Sequence, residues 1–207
     1  MKNSVPVLWL MLFGILGFGM ETRVAAADRT TVDKATFAGG CFWCMVAAFD
    51  TVPGVVGVIA GYTGGHTQDP SYEDVSAGGA GHAEAVQVLY DANKISYATL
   101  LEVFWHNIDP TVNDRQFCDV GPEYRAEIFY HDEEQQRLAE QSKAALELSK
   151  PFKEPIFTQI TAASAFYPAE EYHQYYYRKN PVRFKYYHYT CGRAQRLKEL
   201  WESVLER

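Results

Sequence analysis

The stretch ATFAGGCFWC, residues 35–44, constrains the chain most, because it has to be a strand end, a tight turn and a helix start in ten residues. Ala35, Thr36 and Phe37 read as the end of a short strand. Gly39 and Gly40 let the backbone turn and approach a ligand closely. The apolar run from Phe42 to Phe49 reads as a helix, which places Cys41 in its first turn. Backbone N–H groups and the helix dipole favour an anion there, so the Cys41 pKa is expected to fall from its free value of about 8.5 and the thiolate to act as a nucleophile. A cysteine beside aromatics can also be a small buried hydrophobe. The glycine pair, the helix-start position and Cys44 three residues on favour chemistry.

A second constraint is the alternation from His82 to Tyr90, which predicts a strand. Glu84, Val86, Val88 and Tyr90 share one face, so a carboxyl group is placed on an apolar surface. Desolvation there raises a carboxyl pKa and keeps the proton on near neutrality, as a general acid requires. A Glu that simply reaches water at the strand end is the alternative. Between Tyr62 and His82 lies a glycine-rich stretch, residues 63–81, read as a loop with Tyr72 at its middle. Loops of that length in a compact domain are often functional. His66 and His82 flank it as expected hydrogen-bonding residues of the loop.

Further on, Ser96 reads as the cap of a helix with its apolar face on Tyr97, Leu100, Leu101, Phe104, Trp105 and Ile108. A second loop, residues 111–123, carries Cys118 and Asp119. Tyr124 to His131 reads as a strand, Asp132 as the cap of a helix ending before Pro151, Ile156 to Ile160 as a strand, and Ala169 to Lys179 as helical with Tyr175, Tyr176 and Tyr177 packed. A last helix starts near Arg193, with Cys191 and Gly192 just before it. Strands and helices mix without strict alternation, so the expected class is α+β: one domain, a mixed β-sheet with helices packed against it and long glycine-rich loops around the site.

The first 27 residues are of another kind. Lys2, an apolar run from Val5 to Met20 and the triplet Ala25, Ala26, Ala27 read as a cleaved secretory signal peptide, leaving residues 28–207 as the functional domain in an exported compartment, periplasmic or secreted. The net charge of −7, without any Lys/Arg cluster, argues against nucleic acid.

GGCFWC, GYTGG, PSYEDVSAGGAGHAEAV and CDVGPEYRAEIFY, in that order, closely resemble the A-type peptide methionine sulfoxide reductases, over about residues 34–205. The resemblance implies reduction of the S-epimer of methionine sulfoxide, with Cys41 as nucleophile and Phe42 and Trp43 as the pocket for the substrate methyl group. It implies Tyr72, Glu84 and Tyr124 as the groups on the sulfoxide oxygen, Glu84 being the proton donor, and Asp119 as a supporting acid. It further implies a Cys41 sulfenic acid resolved by a second cysteine, a thioredoxin-like reductant as partner, oxidised proteins or peptides as substrates, and no metal or organic cofactor. Cys191, in a glycine-containing stretch able to travel, is the expected resolving cysteine, with Cys44 and Cys118 as alternatives. The chain is expected to act as a monomer. Two other classes stay open on the residues alone. A thioredoxin-type disulfide oxidoreductase would use Cys41 and Cys44, although Trp43 stands between them rather than before them. A zinc module would use Cys41, Cys44, Cys118 and a His or Cys191, although there is no second close pair.

Overall fold

The computed structural model describes Met1 and residues 32–205, so the signal-peptide expectation lies outside the described residues. A six-stranded sheet forms the body, in the order β7-β6-β1-β3-β2-β8. Its strands are β1 (Val32–Gly39), β2 (Val55–Thr63), β3 (Ala83–Asp91), β6 (Ala126–Tyr130), β7 (Gln159–Ala162) and β8 (Tyr167–Pro168). All pairings are antiparallel except β6 with β7. A separate ribbon pairs β4 (Arg115–Gln116) with β5 (Asp119–Val120). Seven helices accompany these strands among the described residues: α1 (Phe42–Phe49), α2 (Tyr72–Ser76), α3 (Tyr97–Trp105), α4 (Glu133–Ser149), α5 (Tyr176–Lys179), α6 (Pro181–Thr190) and α7 (Arg193–Leu205). The mixed sheet with helices packed on it is the expected α+β class.

One face of the sheet makes the core. Phe37 pairs across β1–β3 with Val86, and Ala35 with Val88, so their side chains share that face. Against it lie α1 and α3: the Phe37 ring stacks on Phe49 at 5.2 Å and on Phe104 at 5.1 Å, all three without solvent exposure. Burying an aromatic of this size contributes about 1.5–3 kcal/mol, so this stack fixes where α1 sits over the sheet. Glu84 belongs to the same face two residues before Val86, and its cross-strand partner on β2 is Tyr62. Ser96 caps α3 by accepting from the Thr99 N–H, and Asp132 caps α4 by accepting from the Gln135 N–H.

Several expectations shift. Residues 63–81 hold a helix, α2, closed by a capping box in which Ser71 and Asp74 exchange hydrogen bonds. Tyr124 lies in a single 3-10 turn, Pro122–Tyr124, not in the strand after it. β7 starts at Gln159 rather than Ile156, because Phe157 N–H is taken by the Pro110 carbonyl before the parallel pairing with β6 begins. Residues 171–175 form turns, with Tyr175 left-handed at φ 50°, and of the expected helix only Tyr176–Lys179 is helical. No helix among the described residues is long and apolar enough to cross a membrane.

Candidate active site

Cys41 comes first, because its backbone is pinned from both sides. Gly40 has φ +78°, and a Cβ there would stand 2.4 Å from Cβ of Gln116, so only glycine fits between β1 and the ribbon. Gln116 is fully buried and locked to Asp109 in both directions: its Oε1 accepts from Asp109 N–H at 2.8 Å and its Nε2 donates to the Asp109 carbonyl at 2.7 Å. The turn is thereby held against the β4–β5 ribbon that carries Cys118 and Asp119.

Cys41 is the N-cap of α1 rather than part of its first turn, and it is 6% exposed. The expected drop in its pKa is overturned. Burial pushes the Cys41 thiol up, and a hydrogen bond with the Cys44 thiol adds to this, while one with the Tyr187 hydroxyl opposes it. Burial is the physical reason, and the helix start does not offset it: the Phe42 N–H donates to Oε2 of Glu84 at 2.9 Å. Cys44 shifts the other way, lowered by its bond to Cys41 and by the Arg193 guanidinium against the cost of burial. The two thiols therefore act as one titrating pair.

Glu84 is 4% exposed, and burial, then the neighbouring Cys41, hold its carboxyl well above the usual range. A shift in this direction favours the protonated acid. Tyr72 opens α2, its N–H held by Oε1 of Glu170 at 2.9 Å, and burial raises its pKa. Burial does the same to Tyr124. Both phenols keep their protons and can donate. Asp119 accepts from the Tyr187 hydroxyl, and its pKa is raised by burial, against the pull of Tyr187 and Arg193.

Together with Phe42, Trp43 and Tyr187 these residues line one cavity of about 110 Å³. An apolar cavity of about 150 Å³ holds one benzene, so a site of this size accepts the end of a side chain, not a whole residue. Every side chain assigned to catalysis or to substrate from the sequence lies on it. Two contributors have no counterpart in the sequence reading. Tyr187, on α6, donates its hydroxyl to Asp119 and lines the cavity together with Cys41. His173, 2% exposed, accepts the Trp43 indole N–H on Nδ1 at 3.0 Å and fixes the ring that Tyr176 stacks on at 3.8 Å. Neither has a motif or periodic stripe to mark it; α6 buries no residue fully. His82 has a loop role, accepting Gly65 N–H on Nδ1 at 3.1 Å, with Nε2 2.7 Å from the Thr67 carbonyl.

The remaining cysteines form a disulfide, Cys118–Cys191, while Cys41 and Cys44 are free. Cys191 is the C-cap of α6, with its N–H on the Tyr187 carbonyl, and Cys191 and Gly192 form the turn before α7 begins at Arg193. Among the described residues, Cys118, Asp119 and Cys191 are grouped closely enough to hold a metal, but both sulfurs are in the bond.

Comparison with known proteins agrees. The family model described as peptide methionine sulfoxide reductase matches residues 33–205. The peptide methionine sulfoxide reductase MsrA of Listeria monocytogenes serotype 4b is 51% identical over 175 residues, 84% of this chain and 99% of that protein. Among solved structures, Mxr1 from Saccharomyces cerevisiae in reduced form superposes with a TM-score of 0.69 at 30% identity, covering 74% of this chain and 88% of that one. Mxr1 in complex with Trx2 gives a TM-score of 0.50 at 24% identity, covering 74% and 91%.

Proposed function

The chain belongs to the peptide methionine sulfoxide reductase family, and we propose that it carries out that family's reaction with the residues gathered around Cys41. It is an enzyme that reduces methionine sulfoxide to methionine. The observation that carries the assignment of roles is a buried carboxyl group, Glu84, in the same small cavity as a free thiol, Cys41, with two phenols beside them.

The sulfoxide enters with its methyl group against Phe42 and Trp43 and its oxygen toward Glu84, Tyr72 and Tyr124. The Cys41 sulfur bonds to the sulfoxide sulfur as its own proton leaves, while Glu84 gives its proton to the oxygen and takes up the one the thiol releases. The S–O bond and the new bond between the two sulfurs break as the hydroxyl passes to Cys41, which becomes a sulfenic acid, and methionine leaves. Tyr72 and Tyr124 donate to the oxygen as charge develops. Asp119 and Tyr187 hold the thiol side of the cavity. The substrate is the S-epimer, since each reductase type handles one epimer, carried on oxidised proteins and peptides or free.

Cys191 resolves the sulfenic acid. It follows Tyr187 by four residues, one helical turn on the same face, and Tyr187 lines the cavity with Cys41. The Cys191 thiolate attacks the Cys41 sulfur, and the hydroxyl leaves as water. Cys118 then attacks Cys191, releasing Cys41 and closing the Cys118–Cys191 bond. A thioredoxin-like dithiol reduces that bond; Mxr1, itself solved with Trx2, supports this choice of partner. The electrons come from thiols throughout, so no organic cofactor enters the scheme. The leader read in residues 1–27 places this repair in an exported compartment, where it would act on the proteins of that compartment.

The test is reduced, full-length protein under anaerobic conditions with each epimer separately. Methionine from the S-epimer alone supports the proposal; none from either epimer overturns it. Cys191→Ser is expected to keep the first turnover and lose thioredoxin-driven recycling. The hydrogen bond between Cys44 and Cys41 favours one second reading, a direct Cys41–Cys44 disulfide. Full recycling by Cys191→Ser together with its loss in Cys44→Ser would select that reading.

A further inference from the structure

The two sulfurs of the Cys118–Cys191 bond are not equivalent, and we infer that a reducing thiol attacks Cys118 and expels Cys191. This rests on the reading above that the bond is the one reduced in each cycle, and it adds the direction in which that bond is opened.

Access separates them first. Cys118 is exposed and Cys191 is half-buried. Cys118 sits with Phe117 in the two-residue turn that joins β4 to β5. The first position of such a turn takes a positive φ, usually supplied by glycine. Here it is Phe117, at φ 56°, with the Arg193 guanidinium 4.5 Å from its ring centre. A side chain in an unfavourable backbone state is kept there by what packs on it, and the result is a cysteine presented at a tip. Val120, two residues on, is 70% exposed and gives the tip an apolar neighbour.

Leaving-group chemistry separates them again. In thiol–disulfide exchange the sulfur that leaves is the one whose thiolate is better stabilised. The Cys118 N–H points at Cys191 Sγ at 3.2 Å, so negative charge arriving on Cys191 meets a donor already in place. Cys118 Sγ has a carboxylate oxygen of Asp119 at 3.7 Å, which disfavours charge on that sulfur. Access and charge therefore point the same way.

The step balances as an exchange. The entering thiolate forms a bond to Cys118 Sγ, the Cys118–Cys191 bond breaks, and Cys191 takes the electron pair. The reductant's second thiol then attacks its own bonded sulfur and releases Cys118, so one dithiol is oxidised and one disulfide reduced. Cys191, freed first, is the thiolate one helical turn from Tyr187, which lines the cavity with Cys41. The outside reductant thus holds the tip while the inner sulfur is already free to face the cavity.

The experiment uses the oxidised full-length chain and a thioredoxin whose second active-site cysteine is replaced by serine. Rapid acid quenching, alkylation and peptide mapping then locate the mixed disulfide. No sulfoxide is present, so the result is independent of whether the sulfoxide chemistry is assigned correctly. The expected product has thioredoxin on Cys118 and alkylated Cys191, at least about tenfold over the reverse. A mixed disulfide mainly on Cys191, or equal amounts on both, overturns the inference. So does no mixed disulfide at either sulfur when a small dithiol opens the bond. In Asp119→Asn the ratio should narrow; an unchanged ratio would remove the carboxylate from the account.

Discussion

Cys41 and Cys118 differ in almost everything except their element. Cys41 is 6% exposed, closed in by Glu84, Cys44 and Tyr187, and burial keeps its proton on. Cys118 stands exposed at the tip of a two-residue turn, bonded to Cys191. The cavity around Cys41 is built on the centre of the sheet and the first helix; the Cys118 face is built on a ribbon and on the junction between α6 and α7. The difference teaches a division of labour. A dry, proton-holding site suits attack on a neutral sulfoxide, where charge is made and removed within one step. An exposed disulfide suits exchange with another protein, which must bring a sulfur into line with the bond. Neither environment could do the other's chemistry well, and Asp119 with Tyr187 joins them.

The largest expected effect breaks the inner region alone. Cys41→Ser should lower sulfoxide reduction by at least about 10³-fold, as removal of a nucleophile does, while a Cys118–Cys191 bond closed beforehand with a small-molecule disulfide is still reduced by thioredoxin. If that exchange fails too, the two regions are not separable.

Glu84→Gln comes next. It keeps the shape and removes the acid, so reduction at neutral pH should fall by about 10²–10⁴-fold. Because the folded-state pKa of Glu84 is raised, the native chain loses stability as pH climbs from the unfolded carboxylate value of about 4.3 toward the folded one. The variant escapes this loss. It should be the more stable protein at neutral pH, on the order of 1–3 kcal/mol, with the gap closing below about pH 4. Melting curves of both proteins across that range check the sign; a gap that is flat with pH would show that Glu84 is not held protonated.

Gly40→Ala attacks the joint between the regions. Positive φ and the clash with Gln116 should together cost about 2–4 kcal/mol and loosen the ribbon from Cys41, so chemical denaturation and turnover should suffer together. Stability within about 0.5 kcal/mol of the native chain would mean the joint is not as tight as the contact implies.

The inner region was the more legible of the two in the sequence. A glycine pair before a cysteine, and a carboxylate in phase with Val86 and Val88, are local patterns that the strand and turn geometry read directly. The direction of the Cys41 shift was not legible, because it depends on how deeply contacts from distant parts of the chain bury the thiol. The outer region depends on contacts across long separations. Cys118 and Cys191 are 73 residues apart, and four cysteines allow three pairings that sequence cannot choose between. Tyr187 was hidden for a similar reason: α6 lies on the surface without an apolar stripe, so nothing in its own sequence says which tyrosine turns inward.

That residue gives the smallest predicted effect. Tyr187→Phe removes the hydroxyl that donates to Asp119 beside Cys41, worth about 0.5–1.5 kcal/mol or up to about tenfold in rate. It should also shift the pH profile of thiol alkylation at Cys41. A rate change without any shift in that profile would reduce Tyr187 to packing.

The division of labour is tested most directly by counting methionine. Reduced protein is mixed anaerobically with excess S-sulfoxide and no reductant, and methionine per chain is measured in the burst. If oxidation is passed outward to Cys118–Cys191, Cys41 is restored once and attacks again, so about two methionines form per chain, falling to one in Cys118→Ser. One methionine per native chain, with Cys41 held in a disulfide, would contradict the relay.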